Sequence, residues 1–89
     1  MKTEFSRFLN ALDRSPKTIF AYRNALEQFA KVVGDNAELN TETYTKFLIH
    51  LMSKAPSTQT VYTTAVLKFY AFCNVGNLVE LKKVTEHYM

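Results

Sequence analysis

The run Ser15-Pro16-Lys17-Thr18-Ile19-Phe20-Ala21-Tyr22-Arg23-Asn24-Ala25-Leu26-Glu27-Gln28-Phe29-Ala30-Lys31-Val32-Val33-Gly34 carries its own start and stop signals. Ser15 is suited to N-cap a helix, Pro16 fits the first helical position because its missing N–H would have no partner there, and Gly34 can take the left-handed conformation that ends the run. Between them Ile19, Tyr22, Leu26, Phe29, Ala30 and Val33 recur at three- and four-residue steps, which puts them on one face about 100° wide. That face is core. Projected at about 100° per residue, the opposite face holds Lys17, Ala21, Asn24 and Gln28, with Thr18 and Arg23 on its flanks. It is basic in its first turn, amide-bearing beyond, and free of acids until Glu27.

The same periodicity extends outward in both directions. Thr3 as a cap, then Phe5, Phe8, Leu9 and Leu12, predict a first helix over about residues 4–13, which Asp13-Arg14-Ser15-Pro16 breaks because the residue before a proline is pushed out of the helical region. The opening stretch is the second helix, 16–33. After turn chemistry at Gly34–Asn40, with Leu39 as an anchor, Tyr44, Phe47, Leu48, Leu51 and Met52 predict a third over 41–53. Lys54-Ala55-Pro56 closes it, and Ser57 starts a fourth over 57–74.

The apolar arc of this fourth helix (Val61, Tyr62, Ala65, Val66, Phe69, Phe72 and Cys73) is wider than a surface helix needs, so it is expected to be the most central. Its remaining strip is Gln59, Thr60, Thr63 and Thr64. Threonine costs a few tenths of a kcal/mol in a helix, so the strip is a candidate functional surface as well as a solvated one. Residues 77–89 are expected to be a short terminal helix or a linker, with no terminator of their own, as in a domain cut from a longer chain. The fold expected is all-α, a bundle of four to five helices in one domain over residues 1–76.

Composition narrows the function classes. The chain of 89 residues is 47% hydrophobic and 13% aromatic with two Gly and two Pro, which describes a small folded helical domain with little room for an enzyme's cleft. Eleven Lys and Arg against eight Asp and Glu leave a net charge of +3, which permits an anionic partner without demanding one. Cys73 is the only cysteine and suits a reducing, cytoplasmic compartment as a small buried hydrophobe. His50 has no second ligand at metal spacing, so no metal or cofactor is expected. No apolar run is long enough for a signal peptide or membrane span. No nucleophile–base pair points to catalysis, and no small-molecule substrate is expected.

Helices two and four begin alike, as Ser15-x-x-Thr18-Ile19 and Ser57-x-x-Thr60-Val61, followed about a dozen residues on by Phe29-Ala30 and Ala71-Phe72. Each start offers hydroxyls and unpaired N–H groups at the positive end of a helix, suited to phosphate, with Lys17, Arg23 and Lys54 nearby. Ordinary capping reads the same way.

Ser15-x-x-Thr18-Ile19-x-x-Tyr22-Arg23-x-x-Leu26-x-x-Phe29, with Ser57-x-x-Thr60-Val61 running to Leu67-Lys68-Phe69-Tyr70-x-Phe72, resembles the core-binding domain of tyrosine recombinases, the phage-integrase family. The likeness runs from Phe5 to Phe72. It implies a SAM-like helical bundle forming half of a clamp on double-stranded DNA, with helices two and four crossing the major groove. By position it assigns Lys17 and Thr18 to phosphate and Ala21 and Asn24 to base edges. It assigns Gln59 and Thr60 to the backbone, and Thr63 and Thr64 to the groove. Relatives often carry arginines in helix four, and hydroxyls cannot neutralise phosphate, so the resemblance implies weak affinity. Catalysis in the family belongs to a separate domain with an arginine-rich pocket and a tyrosine nucleophile. This chain has no His-x-x-Arg, so it is expected to be a non-catalytic part whose partners are DNA and other protomers of the same recombinase. The contrasting expectation is a protein-interaction bundle with an aromatic docking patch around Phe20 and Tyr70.

Overall fold

Each helix of the chain is set by its ends, and a computed structural model describing residues 2–89 shows five of them: α1 (Lys2–Ala11), α2 (Pro16–Val33), α3 (Thr41–Leu51), α4 (Pro56–Phe72) and α5 (Leu78–Tyr88). The described residues contain no strand, and the all-α bundle expected from the periodicities is what forms. For α2 the sequence signals are met at both ends. The Ser15 side chain accepts the Thr18 N–H at 3.3 Å, Pro16 holds the first position, and Gly34 ends the helix at φ 95° with its N–H on the Ala30 carbonyl.

The other ends differ from expectation for local reasons. Helix α1 stops at Ala11 rather than residue 13, because the Leu12 N–H turns back onto the Leu9 carbonyl at 3.3 Å. Helix α3 opens on a full capping box: the Asn40 side chain accepts the Thr43 N–H at 2.9 Å and the Thr43 hydroxyl accepts the Asn40 N–H at 3.0 Å. It ends at Leu51, two residues short of Ser53, where the Met52 N–H bonds Ile49 in a tightened turn.

Helix α4 starts at Pro56, not Ser57, with Ala55 in the cap position and no side-chain cap bond. It ends at Phe72 rather than residue 74 in a Schellman arrangement, with Asn74 at φ 55°, its N–H on the Ala71 carbonyl and the Val75 N–H on that of Tyr70. The segment expected as a short helix or linker is an eleven-residue helix, α5, capped by Asn77, which accepts the Val79 and Glu80 N–H groups.

Among the described residues α4 alone packs against all four other helices, as its wide apolar arc requires. Neighbouring side chains on it look in different directions. Phe69 takes the edges of Phe5 and Phe8 from α1, with ring centroids at 4.9 and 5.6 Å, while Tyr70 meets Phe29 of α2 at 6.0 Å and Tyr44 of α3 at 5.8 Å. Such edge-on pairs each contribute about 0.5–1.5 kcal/mol beyond the area they bury. Helix α5 joins this core through Leu81, which is fully buried, and through a hydrogen bond between the hydroxyls of Thr85 and Tyr44.

Candidate nucleic-acid interface

The starts of α2 and α4 correct the register of the internal repeat. With Pro16 and Pro56 both in the first helical position, the two helices align forty residues apart, matching Thr18 with Thr58, Tyr22 with Tyr62, Ala25 with Ala65 and Phe29 with Phe69. The pairing of Ser15 with Ser57 is therefore two residues out. Ser57 lies inside the first turn of α4 and does not cap it. Prolines at the first position were the signal that fixes this alignment.

In the corrected register the outer row of α2, Lys17, Ala21, Asn24 and Gln28, corresponds to Ser57, Val61, Thr64 and Lys68 on α4. Lys17 is exposed, and Ala21, Asn24 and Gln28 are partly exposed. The Asn24 and Gln28 amides make no hydrogen bond within the described residues, and Lys17 makes no ion pair there. Thr18 is half-buried, its hydroxyl 3.1 Å from that of Ser15, so the cap and the candidate phosphate ligand are one unit.

Arg23 is exposed but turned toward α1, where with Glu27 and Lys31 it rims a cleft of about 570 Å³ floored by Phe5, Leu9 and Leu26. Phe20 is 62% exposed and stands among these polar groups, one helical turn from Lys17 and Asn24.

The α4 strip divides. Thr63 does not face a groove: it is 7% exposed, and its hydroxyl donates back to the Gln59 and Thr60 carbonyls at 2.8 and 3.1 Å. Its position falls at the edge of the arc that also buries Val66 and Tyr70, and the back-bond satisfies the hydroxyl that burial would otherwise strand. Gln59 is likewise occupied, its Nε2 donating to the Leu51 carbonyl at 3.0 Å, which ties the start of α4 to the end of α3. Thr60 is exposed with its hydroxyl on the Pro56 carbonyl at 3.1 Å. Thr64 is half-buried with no hydrogen bond from its side chain, and Lys54 is exposed in the turn before α4.

Sequence reasoning missed Lys68. It is half-buried, with its ammonium 5.8 Å from the centroid of the Tyr22 ring, so its stem lies along the seam between α4 and α2 and its charge stands over Tyr22 at that seam. The expectation that helix four offers hydroxyls alone is corrected accordingly. The proposed aromatic docking patch loses half its basis, since Tyr70 is fully buried.

Two other groups lie away from this face. Cys73 is half-buried, and burial, helped by the Glu4 carboxylate, pushes its thiol above the ordinary value, which opposes thiolate chemistry. The His50 ring stacks on Phe47 at 6.3 Å, and its buried Nε2 has no hydrogen-bond partner. Among the described residues no helix is long and apolar enough to cross a membrane.

No family model matches the chain, and no curated protein or solved structure is significantly similar to it.

Proposed function

We propose that this chain is a duplex-DNA-binding module of the tyrosine-recombinase type, working in the cytoplasm as the non-catalytic part of an integrase that joins or rearranges DNA. The observation that carries the reading is the outer row of α2. A free cation in the first turn is followed by two amides without internal partners, and α4 adds Lys68, held over Tyr22 at the seam of the two helices. Cations and helix starts hold phosphate and fix register, while amides read base edges. In this division Lys17, Thr18, Lys54, Thr60 and Lys68 serve the backbone, and Ala21, Asn24, Gln28 and Thr64 face the groove. Arg23 reaches a flanking phosphate from the α1 side. DNA is the primary partner, with other protomers of the same recombinase beside it.

The test is a fluorescence-anisotropy titration of labelled duplex at rising salt. Binding through a handful of phosphates loses affinity steeply between about 50 and 200 mM salt. Affinity that is flat across that range, or no binding at high protein concentration, overturns the reading.

A further inference from the structure

The rim of the cleft between α1 and α2 carries a charge pattern of its own. Arg23, Glu27 and Lys31 follow one another at four-residue steps along α2, and Asp35 lines the same cleft just past the helix end. All four are exposed, and none makes an ion pair within the described residues, although four-residue spacing brings neighbours on a helix within reach. The row runs plus, minus, plus, minus, and reversing it with every sign exchanged gives the same row again. Phe20 belongs to this stripe. Projected at about 100° per residue, Arg23, Glu27, Phe20 and Lys31 fall in that order within an arc of about 80°. The ring is 62% exposed, and at the far end of the cleft Gly34 has open space where a Cβ would stand.

A row complementary to its own reverse fits a second copy of the chain across a two-fold axis, where one patch meets itself. We propose that two copies pair through this stripe with their α2 helices antiparallel, Glu27 of each on Lys31 of the other and Arg23 of each on Asp35 of the other. The axis then passes level with Phe29, the midpoint of both pairings. Phe20 lies outside the ladder, against the second copy's turn at Gly34–Ala37, where the open end of the cleft receives the ring. One contact thus serves an uncovered aromatic and four charges that have no partner in their own chain. A uniformly acidic or basic partner matches only half the row and repels the rest. Arg23 holds one anion at a time, the second copy's Asp35 or a flanking phosphate.

Sedimentation equilibrium of the full chain tests this without DNA, so its outcome is separate from that of the duplex titration. The chain is expected to pass from monomer to dimer with rising concentration, and less readily at high salt, which screens exposed pairs. Glu27→Lys and Lys31→Glu each bring like charges together at both inner contacts and should weaken the dimer by about tenfold or more. An equimolar mixture of the two variants restores it, because each supplies the charge that the other lacks. Both positions are exposed, so circular dichroism should show the helices unchanged. A chain that stays monomeric up to about 1 mM, a dimer unmoved by the single exchanges, or a mixture no heavier than its parts overturns the proposal. Phe20→Ala should also weaken the dimer, and an undiminished dimer overturns the role given to the ring.

Discussion

The hydroxyls of Tyr70 and Thr43 meet at 2.8 Å inside the core, joining the last turn of α4 to the first turn of α3. Tyr70 also reaches the Asn40 carbonyl at 2.9 Å, and Thr43 reaches that of Glu38 at 2.9 Å, so one small network pins the loop between α2 and α3. Without the Tyr70 hydroxyl, Thr43 keeps the Glu38 carbonyl and the Asn40 carbonyl keeps the Tyr44 N–H at 3.1 Å, so what is lost is the tie from α4. Tyr70→Phe is expected to cost about 0.5–1.5 kcal/mol in urea unfolding, the net worth of a hydrogen bond whose partners stay satisfied. A change below about 0.3 kcal/mol would show that the loop relaxes freely to water.

Alkaline pH acts on the same residue. Burial pushes the Tyr70 hydroxyl up to about 12, against the hydrogen bond with Thr43, and burial likewise raises Tyr44. Because the folded value lies above the ordinary 10, the unfolded chain gives up the proton first. The stabilising contribution is complete below pH 10 and is lost as pH rises toward about 12. Urea midpoints followed by circular dichroism should hold steady to about pH 10 and then fall. Tyr70→Phe should flatten that fall, and identical profiles for the two proteins would contradict the assignment.

The docking of α5 depends on a glycine. Gly76 stands at φ 74°, and a Cβ there would lie 3.3 Å from Leu81 Cδ1 and 3.4 Å from Tyr70 Cδ2. Gly76→Ala combines backbone strain with a push on two fully buried side chains, and should cost about 1–3 kcal/mol in thermal or urea unfolding. Leu81→Ala leaves a cavity at the same place and should cost about 2–5 kcal/mol. If Leu81→Ala proved neutral, α5 would not be part of the cooperative unit.

Thr63 and Lys68 of α4 should separate in DNA binding. Thr63→Val removes a hydroxyl whose bonds stay within its own helix, and affinity for duplex should not change. Lys17→Ala and Lys68→Ala should each weaken binding to all duplexes and lower the salt slope by about one. A Thr63 effect larger than that of Lys68 would reverse the assignment of the two faces.

The sequence by itself determined the helices and most of the core. Periodicity at three and four residues, with Pro16 and Gly34 as punctuation, specified α2 to the residue, and Phe29, Phe47, Leu48 and Phe69 could be placed inside from spacing alone. These are local properties, governed by each residue and its neighbours within a turn or two.

What only the tertiary structure decided is how neighbouring helices share their flanks. Thr63 and Thr64 are adjacent in the chain and alike in chemistry, yet packing buries one and leaves the other at the surface. Lys68 reads as an ordinary charge until the crossing of α4 over α2 sets it above Tyr22, and Tyr70 reads as a docking aromatic until Asn40 and Thr43 close around its hydroxyl. Residues at the margin of an apolar arc are assigned to core or solvent by the partner helix, whose position depends on contacts between residues far apart in the chain.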